Sequence, residues 1–231
     1  MAHIHLEDGA FSPLWVIIWS LLAAGAMTVV LYTLRGGKMS PRKLAIAAMC
    51  TSVGFAVFQV SIPIFGGIHL NLTPLIGILA GPALGSISVL AINVFSAAVG
   101  HGGWGMIGPN TLVNMVEVVL GYYGYRLIRA RMRMDRFTAG AAAATLALTV
   151  SALMIVGIVV VSGLQDSENT AQETLRNMLL LAGVNIAVGV VEGLVTGYIV
   201  SFIGRIRPDL LADAERGAAK GKPAAEARPD A

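Results

Sequence analysis

The sequence predicts an all-α integral membrane protein, a polytopic bundle of about seven transmembrane helices, one of them short or broken, with the N-terminus outside and the C-terminus cytoplasmic. Three observations predict it. Apolar residues make up 56% of the 231-residue chain and charged residues only 13%, with a mean hydropathy of +0.76, whereas soluble domains carry about 25% charged residues. Apolar runs long enough to cross ~30 Å of hydrocarbon recur from Phe11 almost to Ile206, and they lack the period-two alternation of a barrel strand, which leaves helices as the spanning elements. The basic residues behind the net charge of +3 sit at the ends of these runs. There they act as topology signals, not as a nucleic-acid surface.

A first helix is expected over residues 11–34, with Trp15 and Trp19 as interfacial aromatics and Arg35, Lys38, Arg42 and Lys43 in a cytoplasmic connection beyond it. A second, over 43–62, returns outward to a loop free of Lys and Arg that ends at His69. Arg126, Arg129, Arg131, Arg133 and Arg136 mark the next cytoplasmic loop, so an odd number of crossings must lie between. Three fit: 70–80, short and carrying Pro74; 82–99; and 110–127. An 11-residue helix spans only about 17 Å and must end in protein or a wet cavity. Residues 138–161 lead out to an acidic loop at 162–174, and 175–203 lead back to Arg205 and Arg207. Residues 1–207 thus form the membrane domain, and 208–231, rich in Ala, Pro and mixed charge, read as a disordered cytoplasmic tail.

Small residues recur at four-residue spacing in Ser20-Ala24-Thr28, Ala48-Ser52-Ala56, Ala139-Ala143-Ala147-Ser151 and Gly189-Gly193-Gly197. Such stripes let helix backbones approach closely, within one bundle or against another membrane subunit. The lone Cys50 lies in an apolar run and reads as a small hydrophobe.

On this topology His3, His5, His69 and His101, all the histidines of the chain, face outside. Imidazole suits nickel, copper, zinc and cobalt. Residues 1–9 lack the basic start of a signal peptide and should stay in the mature chain. If Met1 is removed before the small Ala2, His3 becomes the second residue, and terminal amine, intervening amide nitrogen and imidazole form fused chelate rings in one plane. That square suits nickel(II) or copper(II) better than zinc. The plainer alternative is that His3 and His5 tether a polar terminus at the lipid interface. Asn93, Asn110, Asn114, Glu117, Asn185 and Glu192 lie inside apolar helices. Intramembrane acids face a bundle interior or cavity, so these residues either bond helices together or orient the histidines from behind.

Four motifs then occur in order: His5-Leu6-Glu7-Asp8-Gly9-Ala10-Phe11-Ser12-Pro13, Gly66-Gly67-Ile68-His69-Leu70-Asn71-Leu72-Thr73, Gly100-His101-Gly102-Gly103 with Gly108-Pro109-Asn110-Thr111, and Glu192-Gly193-Leu194-Val195-Thr196. Together they resemble the CbiM/NikM family, the substrate-binding components of energy-coupling-factor importers for cobalt and nickel. The resemblance implies a metal site drawn from Ala2, His3, His5, His69 and His101, backed by Asn71, Asn110, Glu117 and Glu192, with Ni2+ or Co2+ as cargo. It also implies a plasma-membrane location and three kinds of partner: a transmembrane coupling subunit, a pair of ABC ATPase subunits and a small accessory membrane protein. The family starts Met-His, whereas Ala2, His3 and Ile4 precede the motif-spaced His5 here, which leaves two registers: Ala2-His3 supplies the terminal chelate, or His5 binds without the amine.

The chain has no phosphate loop, because residues 217–222 have the wrong spacing and run into Pro223. ATP hydrolysis is therefore expected in trans, and the chain is not expected to be an enzyme. A vitamin carrier of the same architecture would want an aromatic-lined cavity instead of histidines. An intramembrane metalloenzyme would want a His-Glu-x-x-His pair or an activated serine, and the sequence has neither.

Overall fold

The computed structural model describes residues 8–35, 39–59, 61–62, 68–164 and 171–215. Seven α-helices follow in order: α1 (Pro13–Arg35), α2 (Pro41–Phe58), α3 (Thr73–Ala80), α4 (Pro82–Ala98), α5 (Ile107–Leu127), α6 (Arg136–Ser162) and α7 (Ala171–Ile206). Among the described residues the only extended pairing is a two-residue antiparallel ladder, β1 (Ser61–Ile62) against β2 (Ile68–His69), between α2 and α3. The bundle is helical, as its composition predicts. By length and composition α1, α2, α6 and α7 each suffice to cross a membrane, and α4 is an apolar helix of 17 residues. The chain is a multi-pass membrane protein.

The bundle has two unlike ends. At one, α2, α4 and α6 finish and α1, α5 and α7 begin; this end holds β2 and the α4–α5 loop with His101. Trp19 in the first turns of α1 donates its indole N–H to Ser162 Oγ at the end of α6, at 2.8 Å. At the other end lie Arg35, Arg42, Lys43, Arg126, Arg129, Arg131, Arg133, Arg136, Arg205 and Arg207. Two helix starts there, those of α2 and α6, are capped by side chains: Ser40 Oγ accepts from Lys43 N, and Asp135 from Thr138 N. Exposed to water, Asp135 has its carboxyl held below the usual range by the Thr138 hydroxyl and amide.

The small-residue stripes differ in burial. Ala139, Ala143 and Ala147 of α6 are fully buried, and a Cβ on Gly193 or Gly197 of α7 would sit 2.8 Å from Ala141 O or 2.5 Å from Phe137 O. Those two helices meet backbone to backbone. Ala24 and Thr28 of α1, and Ala48, Ser52 and Ala56 of α2, are exposed instead.

The half-helix expected at residues 70–80 is α3, eight residues and so about 12 Å long. It starts beside Glu117, midway along α5, and presses against that helix: a Cβ on Gly77 would lie 2.2 Å from Val118 O, and one on Gly121 2.7 Å from Pro74 O. Only glycine allows this contact.

Three expectations need correction. The acidic connection is shorter than 162–174, because α7 starts at Ala171 and takes Glu173 into its first turn. The second helix stops at Phe58, and Ser61 and Ile62 pair with β2. The supposed tail is ordered over its first residues: Pro208–Leu210 form a 3-10 turn, and Leu211 and Ala214 are buried with Tyr122, Tyr125, Ala139 and Val200. Its charges are spaced to meet the basic helix ends. Asp209 pairs with Arg42, Asp213 with Lys43 at 2.6 Å, and Glu215 accepts from Arg136 Nε at 2.8 Å and Nη2 at 3.0 Å and from Tyr125 Oη at 2.9 Å. Burial pushes the Glu215 carboxyl up, but the hydrogen bonds and charge of Arg136, with Tyr125 and Arg129, outweigh it and leave it below its ordinary value. The region from 216 to 231 lies outside the described residues.

Candidate metal site

His101 is placed by the end of α4. Gly100 takes a left-handed φ of +84°, its N–H bonds Ala97 O at 3.1 Å, and the His101 N–H bonds Ser96 O at 2.8 Å, which is the glycine-terminated closure that satisfies the last carbonyls of a helix. The His101 ring meets Phe58 edge to face, centroids 5.4 Å apart. With Gly102, Gly103, Ile107, Asn93 and Asn110 these two rings line a tight crevice. Polar contacts continue inward from it, Asn93 Nδ2 donating to Thr111 Oγ1 at 3.1 Å and Asn114 Nδ2 to Asn93 Oδ1 at 3.4 Å. Asn110, Asn114 and Glu117 share one buried face of α5.

His69 is the last residue of β2, opposite Ser61, and three residues later the chain reaches Leu72, the buried N-cap of α3. Here the two intramembrane acids find their work. Glu192 accepts the Asn71 N–H at 3.1 Å through one oxygen and the Leu72 N–H at 3.4 Å through the other, while Glu117 accepts Asn71 Nδ2 at 2.8 Å. Thr73 and Ser151 place their hydroxyls beside Glu117. Leu72 precedes the helix at φ +50° and offers no capping side chain. The turn that leads into α3 lies inside the bundle, away from water, so α7 supplies the acceptor for its main-chain amides and α5 the acceptor for the Asn71 side chain. Glu117, Glu192 and Asn71 therefore hold the turn that follows His69. Asn185 is not among them, for its amide donates to Leu181 O at 2.8 Å within α7.

Ala2, His3 and His5 lie outside the described residues, but the chain enters at the same end. Asp8 accepts the Trp104 N–H at 3.0 Å and the Gly105 N–H at 2.8 Å in the loop that His101 opens. Phe11 follows, buried with Met106, Val113, Ile155 and Val159; burying such a ring contributes about 1.5–3 kcal/mol. Asp8 is absent from the predicted site residues. Its signal was an acid-glycine pair in one motif and a glycine-rich loop in another, which sequence alone does not join. Among the described residues no three of His, Cys, Asp and Glu gather closely enough to hold a metal ion. The two elements described around the candidate ligands, β2 and the α4–α5 loop, come to one end of the bundle with Asp8, and a cavity of about 650 Å3 lined by Arg42, Lys43, Tyr122 and Asp213 occupies the other.

Comparison with known proteins gives the same outline. A family model described as CbiM, cobalt uptake substrate-specific transmembrane region, matches residues 5–210. A protein of Archaeoglobus fulgidus provisionally named as a fused nickel transport protein, NikMN, is 30% identical over 225 residues, covering 95% of this chain and 70% of that one. A cobalt transport protein CbiM of Sorangium cellulosum is 24% identical, covering 90% and 94%. The crystal structure of a transition metal transporter superposes with a TM-score of 0.74 at 19% identity, covering 92% of this chain and 99% of that one, and shares its fold. With its motifs in order, its half-helix capped by buried acids and its match from residue 5 to residue 210, the chain belongs to the CbiM family.

Proposed function

We propose that this chain is the membrane component that captures Ni2+ or Co2+ for an energy-coupling-factor importer. The names of its relatives, cobalt and nickel transport proteins, support the cargo. The observation that carries the reading is the gathering of Asp8, β2 with His69, and the His101 loop at one end of the bundle, away from the basic end. By the positive-inside rule the basic end is cytoplasmic, so the histidine end, and the N-terminus with it, faces outward.

With Met1 removed, the Ala2 amine, the following amide nitrogen and the His3 imidazole hold the ion in a plane that His69 closes, with His5 as the substitute ligand if the amine is not used and His101 as an additional one. Asn71, Glu117 and Glu192 fix the turn beyond His69, and Asn110 flanks His101. The chain itself is a binding subunit and not an enzyme. A transmembrane coupling subunit, paired ABC ATPases and a small accessory membrane subunit complete the importer in the plasma membrane. The test is to purify the full chain in detergent and to reconstitute it alone in liposomes without any ion gradient. It should bind Ni2+ or Co2+ and show neither ATP hydrolysis nor uphill uptake; a chain that binds neither metal, or concentrates it unaided, refutes the assignment.

A further inference from the structure

We infer that Asp8 is a positioning residue: its carboxylate clasps the loop that begins at His101 and so delivers the N-terminal chelate to the metal site. The inference rests on the proposed metal-capture function and deepens it. Asp8 spends both oxygens on two successive main-chain N–H groups nearly a hundred residues away, Oδ2 on Trp104 and Oδ1 on Gly105. Such paired amides form a concave anion site, and the loop is shaped to admit the carboxylate. Gly103, at φ +68°, leaves room where a Cβ would stand 2.4 Å from Asp8 Cγ, and a Cβ on Gly105 would stand 3.0 Å from Oδ1. Gly9, next in sequence, turns the chain at φ +86°. α1 starts only at Pro13, beyond this contact, with Phe11 buried in between. The contact holds Asp8 against the loop that His101 opens.

Five residues from Asp8 to His3 reach at most about 18 Å, whereas eight from Phe11 reach about 29 Å. Effective concentration falls roughly as the −3/2 power of tether length, so loss of the clasp costs about twofold from tether length alone. Loss of direction adds to it.

The experiment uses the full-length chain in detergent with Ni2+ as probe, comparing wild type, Asp8→Ala, Asp8→Asn, Gly103→Ala and the Asp8→Ala/Gly103→Ala pair. Affinity is read by competition with a chelator, ligand set by the visible ligand-field band, and folding by melting temperature without metal. Asp8→Ala should weaken binding about three- to tenfold and move the band toward that of the free peptide Ala2-His3-Ile4-His5, a shift that mere destabilisation does not produce. Asp8→Asn, keeping one acceptor, should fall between. Gly103→Ala should act through the same contact, so that it adds little once Asp8 is Ala; the glycine variant also serves if Asp8→Ala does not fold. An Asp8→Ala chain with unchanged affinity and unchanged band overturns the inference while leaving metal capture standing. Independent, additive effects of the two substitutions overturn it as well. A wild-type chain that binds neither Ni2+ nor Co2+ overturns the underlying reading and this inference together.

Discussion

Glu192→Gln tests how the half-helix is held, and its cost can be worked from the structure. Glu192 receives two main-chain N–H groups, from Asn71 at 3.1 Å and Leu72 at 3.4 Å, and is 1% exposed. Glutamine keeps one oxygen, which will take the shorter bond, and turns an NH2 toward the Leu72 N–H. The Leu72 N–H is left buried without an acceptor, which costs about 1–3 kcal/mol. Since the glutamine NH2 is a second donor turned toward it, the cost should lie near the upper end, about 2–3 kcal/mol. For a chain of this size that lowers the melting temperature by about 4–12 °C. Glu192→Ala strands both amides and should cost more. Because the turn lies two residues beyond His69, both variants should also weaken Ni2+ binding in the same order. Melting in detergent followed by circular dichroism, with affinity on the same preparations, gives both readings. A Glu192→Gln chain that melts with wild type, or an alanine variant no worse than the glutamine one, refutes the capping argument.

At the basic end, the Glu215 carboxyl lies below its unfolded value, so its contribution is present above about pH 4.3 and is lost as pH falls through the lower folded value. Wild type should lose stability over that window, and Glu215→Gln, already deprived of the charge on which Arg136 closes, should show a flatter acid limb at a lower plateau. Gly197→Leu should destabilise the α6–α7 pair by more than about 3 kcal/mol, since even a Cβ meets Phe137 O at 2.5 Å; Gly25→Leu, with open space around it, should melt with wild type. In a Cys50→Ala background, an impermeant thiol reagent added to intact cells should label Trp104→Cys and spare Arg131→Cys, both exposed positions at opposite ends. The reverse pattern inverts the orientation and removes the histidines from the outside.

Helix number and order were legible because each apolar run was bounded by Pro, Gly or Arg; α4 starts at Pro82 as expected, whereas α2 and α6 start at Pro41 and Arg136, two residues before the expected 43 and 138. The half-helix was legible from shortness and Pro74, but not what caps it: nothing local links Asn71 to Glu192, which lies 121 residues on. The same holds for Asp8 and the His101 loop. Composition misread residues 208–215, because a hydrophilic segment with few apolar residues can still be ordered when Leu211 finds a pocket and each acid finds an arginine, a lysine or a tyrosine. Stripes of small residues in α2 and α6 looked alike in sequence, and only the packing of α6 against α5 and α7 separates them.

The central claim is that the free N-terminus and His69 together hold the ion. Its most direct test is the Ni2+ affinity of the full chain with the Ala2 amine free and with it acetylated, each with His69 and with His69→Ala, measured from pH 8 to pH 6. An amine of unperturbed pKa ~7.7–8 must lose its proton to bind, so affinity of the free chain should fall steeply across that range. Acetylation should weaken binding about as much as His3→Ala and flatten the pH dependence, and His69→Ala should weaken it further. If the acetylated chain binds as tightly as the free one while His5→Ala abolishes binding, the amine is not a ligand, and the motif-spaced histidine carries the metal instead.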